Sequence, residues 1–173
     1  ANEMESAELG VASMEKANQE SGQIIFSDAD KQTLREAIDA TIPGFNKEKG
    51  TVIQPNLNEK STLIARSVAL ADLGAAGMDG PEKFLPEGDA LFREENMDIA
   101  DALKNPQNIT VSQKEYFRKR MLGWSSSQTA FASGRKELLD SELMAIPEEA
   151  REKVKLLFNK FDETIKAARK KAE

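Results

Sequence analysis

The chain of 173 residues contains no cysteine and no histidine. Without cysteine there is no disulfide, thiolate nucleophile, iron–sulfur cluster or cysteine zinc site. Without histidine there is no Ser-His-Asp relay, no imidazole metal ligand and no axial histidine for haem. Catalysis would have to rest on carboxylates, lysine, tyrosine and serine alone. Long apolar runs are missing too: nothing approaches the roughly 18 consecutive apolar residues that a membrane helix requires. Aromatics are sparse, with 8 phenylalanines, 1 tryptophan and 1 tyrosine.

What is present is charge, 31% of the residues, for a net of -6. It is unevenly placed. Residues 1–40 carry 3 cations against 9 acids, whereas residues 110–137 carry 6 against 2. That basic segment holds Lys114, Arg118, Lys119, Arg120, Arg135 and Lys136. One modest basic patch in an acidic chain argues against nucleic acid and leaves an acidic protein partner or an anionic ligand.

The apolar residues recur at helical spacing, and no alternating strand pattern stands out. A weak amphipathic helix spans 3–19, with Met4, Val11 and Met14 on one side and Gly10 interrupting it. A second helix starts at the Ser27 cap and carries Leu34 and Ile38 to the stop at Pro43-Gly44. Residues 42–58 read as an ordered surface loop. A third helix, about 59–73, presents Leu63, Ile64, Val68, Ala71 and Leu73. Gly74, Gly77, Gly80, Pro81, Pro86 and Gly88 make a broken stretch, followed by a helix from about Asp89 that reaches Leu103. Thr110 with Gln113 forms a capping box for a long helix towards Leu139. The last helix opens at Pro147, and Val154, Phe158, Phe161, Ile165 and Ala168 step by 4, 3, 4 and 3 along one seam. The pattern predicts an all-α bundle of four to six helices with long irregular loops, ending in an antiparallel helical hairpin. Residues 1–173 are read as one helical domain, with 1–25 as a loosely packed N-terminal arm.

Candidate chemistry is thin. Ser27 to Asp39 places Asp28, Asp30 and Asp39 at calcium-loop positions, but Thr33 replaces the glycine needed at the sixth place, so a helix cap is the better reading. Gly74, Gly77 and Gly80 follow no strand and precede no lysine, so they read as turns. Asn108-Ile109-Thr110 is a glycosylation triplet whose threonine already has a capping task. The acids Glu94-Glu95 and Asp98-Asp101 read as a solvated helix face. No metal or cofactor is expected.

The segment Met121–Leu139, MLGWSSSQTAFASGRKELL, holds the single tryptophan. Phe117, Met121, Trp124, Gln128, Phe131, Arg135 and Leu138 repeat the 4, 3 spacing, which makes Trp124 a core residue and its serine neighbours bystanders. Gly123, Ser127, Ala130 and Gly134 form a small-residue stripe that would let a neighbouring backbone come close. Gln128 and Arg135 are the polar departures from the seam. With Arg118, Lys119, Arg120 and Lys136 they make up the predicted partner-binding set.

Leu122-Gly123, Ser126, Gln128-Thr129-Ala130-Phe131 and then Ile146-Pro147 opening a charged helix resemble the small four-helix lumenal assembly factor of photosystem II. The layout is also similar to the Q-type extrinsic subunit of that complex. Where the assembly factor has aromatic and histidine positions, this chain has Arg135 to Leu139. The resemblance implies a non-enzymatic protein docked on the lumenal face of a photosystem. An alanine-first chain fits methionine removal as well as cleavage of an export signal, and the lack of cysteine is compatible with export; the reading is an exported mature protein of the thylakoid lumen or periplasm, bound to a larger membrane complex without spanning the membrane. Two alternatives stand beside it: an exported bacterial inhibitor, immunity factor or chaperone, and a carboxylate-based glycan hydrolase.

Overall fold

The computed structural model describes residues 2–173, so Ala1 lies outside the described residues. The fold is all-α: among the described residues there are nine α-helices, eight of them of at least eight residues, and a single two-stranded sheet. This exceeds the four to six helices expected, because tertiary contacts divide segments that sequence periodicity leaves continuous. The chain separates into two compact units, one up to Asn46 plus Val52–Leu73, the other Lys47–Thr51 plus Gly74–Glu173.

In the first unit, α1 (Asn2–Ser21) and α2 (Asp28–Asp39) pair. Glu15 meets Lys31 at 3.5 Å and Glu8 meets Arg35 at 3.1 Å, so as one number falls the other rises and the helices run antiparallel. Their connection is tied by Asn18, whose Nδ2 donates to the Phe26 carbonyl at 2.7 Å and whose Oδ1 accepts from the Ile25 and Phe26 amides. Gly10 is explained by packing rather than by a weak helix, since a Cβ there would stand 2.7 Å from Leu34 Cδ2. The Ser27–Asp28–Asp30 segment is a helix cap: Ser27 and Asp30 form a reciprocal capping box, and Asp28 pairs with Lys31.

The expected loop after α2 contains a small hairpin, β1 (Gly44–Asn46) and β2 (Thr51–Ile53). Gly50, at φ 60, supplies the left-handed residue before the β-branched second strand. Helix α3 (Leu63–Asp72) corrects the predicted core face. Ala65, Arg66, Ala69 and Leu70 are buried, whereas Leu63, Ile64 and Val68 are exposed. Ala40, Ala65 and Ala69 cluster with Leu57, so small residues win the inner face. The buried Arg66 guanidinium is satisfied by the carbonyls of Ser61 and Asn58.

The second unit is organised by α7 (Val111–Leu143), whose 33 residues span about 50 Å at 1.5 Å per residue. The Thr110 capping box starts it as predicted. Before it come α4 (Ala75–Met78), α5 (Pro81–Glu95), α6 (Met97–Lys104) and a 3-10 turn at Pro106–Asn108. The stretch read as broken is thus mostly α5. Pro81 opens it at a position where no amide bond is lost, and Pro86 lies in the second turn, where its missing N–H leaves one helical bond, to the Glu82 carbonyl, unmade. Asn96 makes the break before α6, at φ -128 and ψ 58, and its Nδ2 takes up the Phe92 carbonyl at 2.6 Å.

The return arm is α8 (Glu148–Leu157) and α9 (Phe161–Ala172), where a single helix was expected. Lys155 meets Asp140 at 2.6 Å and Lys136 meets Asp162 at 2.6 Å, so both run antiparallel to α7 and the predicted hairpin is present. Neither glycine nor proline breaks the arm. Instead the Lys160 amide donates to the Gly77 carbonyl at 2.9 Å, drawing the chain out of helical register between Phe158 and Phe161. Arg151 closes the hairpin turn by donating to the carbonyls of Leu143, Met144 and Ile146, at the end of α7 and in the turn that follows it. Among the described residues no helix is long and apolar enough to cross a membrane.

Candidate functional site

The seam of α7 is buried along only part of its length. Phe131 stacks on Phe84 with ring centroids 5.7 Å apart, and Trp124 tilts against Phe92 at 5.6 Å, so the carboxyl-terminal two thirds of the helix face the interior of the unit. Ala132, Gly134, Leu139 and Leu143 are buried there. Towards the amino terminus cover is lost: Phe117 is only half-buried, Met121 is 44% exposed and Tyr116 57%.

That gradient separates the six residues predicted to bind a partner. Arg135 turns inward and forms a buried ion pair with Glu142. Gln128 also points inward, its amide group against Gly88 of α5, where a Cβ would stand 2.5 Å from Oε1. Arg120 is committed to its own unit: Nη1 donates to Asp98 Oδ2 at 2.5 Å, Nη2 to Asn96 Oδ1, and the guanidinium lies 5.3 Å from the Tyr116 ring centre. It fastens the α5–α6 break to α7. The hydrogen bond from Arg120 holds the Asp98 carboxyl below its usual range, against the opposing effect of burial. Lys136 is exposed but paired with Asp162.

Arg118 and Lys119 remain. Both are exposed, and neither has an ion-pair partner among the described residues. Lys114, one turn before Arg118, is in the same condition and extends the patch. Its place is legible in the sequence, because residues four apart share a helix face.

Beside these cations runs a groove of about 370 Å³. It is lined by one stripe of α7, positions 114, 117, 118, 121, 122 and 125, together with Leu103, Ile109 and Lys171 of α9. Leu103 and Ile109 come from the end of α6 and the loop after the 3-10 turn, so no spacing within α7 foretells them. Lys171 is partly occupied by an ion pair with Asp89. Its lining is mainly apolar and includes the cations Lys114, Arg118 and Lys171.

The predicted small-residue stripe divides as well. Gly134 packs where the chain of the hairpin turn comes close, with the Thr51 side chain 2.5 Å and the Lys49 carbonyl 3.0 Å from a would-be Cβ. Thr51 reinforces this by donating to the Phe131 carbonyl at 3.1 Å. Gly123 faces open space. Among the described residues no three acidic side chains converge as a metal site would need. Of the acids singled out in the sequence, Asp98 is engaged by Arg120 and Asp101 by Lys104.

No family model, no curated protein and no solved structure matches the chain.

Proposed function

We propose that this is a non-enzymatic docking protein that joins a larger complex through the exposed basic surface at the start of α7, in its sharpest form an extrinsic lumenal subunit of a photosystem. One observation carries the docking reading: Lys114, Arg118 and Lys119 stand exposed without ion-pair partners among the described residues, in a chain of net charge -6. Elsewhere on α7 the cations are consumed internally, as Arg120, Arg135 and Lys136 are. Free cations grouped at the start of α7 favour an acidic partner at that surface. The photosystem form rests on the likeness of residues 122–131 and 146–147 to lumenal helical proteins, and export to the thylakoid lumen goes with it.

The test is cosedimentation with photosystem II membranes stripped of extrinsic proteins, for the native chain and for the variant Arg118→Glu/Lys119→Glu. The native protein should sediment with the membranes and be released by salt, because exposed charges are screened beyond about 10 Å at 0.1 M. The variant should bind at least about tenfold more weakly, a change of roughly 1.4 kcal/mol, with unchanged helicity. Equal sedimentation of both proteins would refute the reading.

A further inference from the structure

The groove beside those cations has a shape and charge that specify more than a flat basic patch does. We infer that it receives the apolar face of an acidic amphipathic helix from the partner, an inference that rests on the docking reading and gives its partner a chemistry.

Three features point to that occupant. The α7 residues that line it run from Lys114 to Ser125, which is roughly 17 Å at 1.5 Å per residue, or three helical turns. A groove of that length suits a helix presenting anchors at i, i+4 and i+7. The surfaces an anchor would meet are apolar and partly uncovered: Leu103 is 49% and Met121 44% exposed, with Phe117, Leu122 and Ile109 half-buried beneath. Of the lining residues, Lys114 and Arg118, spaced one turn apart, have no ion-pair partners among the described residues. An incoming helix with leucines down one side and carboxylates flanking them satisfies both demands at once. An anionic membrane fits less well. The surface is concave, and a chain with 30 acids against 24 basic residues carries a net charge that anionic lipid repels.

The experiment uses the full chain and three synthetic peptides of about 14 residues, four helical turns. They share one leucine face and an alanine-rich backbone, and the flanking positions are all Glu, all Gln or all Lys. Labelled-peptide anisotropy should show the Glu peptide binding at least about tenfold more tightly than the Lys peptide, with the Gln peptide between. Leu103→Gln/Met121→Gln should weaken the Glu peptide about tenfold. Both positions are half open to solvent, and circular dichroism and an unchanged urea midpoint will show that the variant folds. Equal affinity for the Glu and Lys peptides overturns the inference, as does binding unaffected by the groove variant. So does stronger retention on phosphatidylglycerol vesicles than on the Glu peptide, which would assign the surface to a membrane.

The same variants separate the two readings. If Arg118→Glu/Lys119→Glu abolishes cosedimentation with photosystem membranes while the groove variant changes neither assay, docking stands and the helix-binding groove falls. If the peptides bind as described but cosedimentation ignores the charge reversal, the groove stands and the photosystem assignment falls.

Discussion

Arg135 and Glu142, two turns apart on α7, form a bidentate pair with Nη1 to Oε1 at 2.8 Å and Nη2 to Oε2 at 2.5 Å. The arginine side chain is 4% exposed and the carboxylate 16%. A buried pair of this kind is costly to break by halves, since the remaining charge keeps its desolvation penalty without its partner. Glu142→Gln should therefore lower stability by about 2 kcal/mol or more in urea titration. Arg135→Met combined with Glu142→Leu should cost less than Glu142→Gln alone, because no charge is then stranded. A double variant that is less stable than the single one would mean that the pair stabilises the fold beyond its desolvation cost.

Two glycines on the same helix should respond in opposite directions to alanine. A Cβ added at Gly123 would have nothing within 4 Å, so Gly123→Ala should gain about 0.5–1 kcal/mol from helix propensity alone. A Cβ at Gly134 would meet the Thr51 side chain at 2.5 Å and backbone at 3.0 Å, so Gly134→Ala should lose about 1–3 kcal/mol by overpacking. Thermal midpoints of the two variants, measured side by side, decide the matter. Shifts of the same sign would count against the packing described for α7.

Gln128 buries its Oε1 without a hydrogen-bond partner, close to Gly88. A buried acceptor left unpaired costs about 1–3 kcal/mol. Gln128→Met keeps the length and removes that acceptor, so the thermal midpoint should rise or hold. A clear fall would mean that the amide is satisfied in solution and that its polarity stabilises the fold.

At and below neutral pH, stability should be lost on the acid side only. Glu8 is held below its ordinary value of 4.5, chiefly by the hydrogen bond from Arg35. Asp30 is held below 3.8 by the Ser27 hydroxyl of the capping box, and Asp98 below 3.8 by Arg120. Since these pKa values are depressed in the folded state, their contribution is complete above the unfolded values and vanishes as pH falls through the folded ones. With no histidine or cysteine, no side chain has an ordinary pKa between about 6 and 8. The urea midpoint should be level across that range and fall below about pH 4.5. Asp30→Asn should make the acid decline shallower. A midpoint that changes between pH 6 and 8 would reveal a further titrating group in the fold.

Much of the fold is legible in the chain. The Ser27 and Thr110 caps, the start of the long helix and the antiparallel return all follow from local rules, because a cap is satisfied within three residues of its own position. The inner face of α3 is not, since Leu63 and Ile64 are the more apolar choice and lie outside. Alanines allow the closer approach, and closeness can outweigh the area of a single side chain. The candidate site is legible by half. Arg118 and Lys119 stand where spacing and charge put them, but the same spacing cannot tell them from Arg120, whose partners Asp98 and Asn96 come from a distant stretch.

The absence of cysteine and histidine, the uneven charge and the helical period are properties of the chain alone. They determined an all-α protein with a basic segment on its longest helix, because each depends only on residue identity and near-neighbour spacing. The tertiary structure decided the rest. It placed the break at Phe158–Phe161 by giving the Lys160 amide to Gly77, and it turned Gln128 and Arg135 inward while leaving Arg118 and Lys119 outside. It also brought Leu103 and Ile109 beside α7 to make a groove. Those outcomes hang on groups far apart in sequence, whose mutual satisfaction no local period encodes.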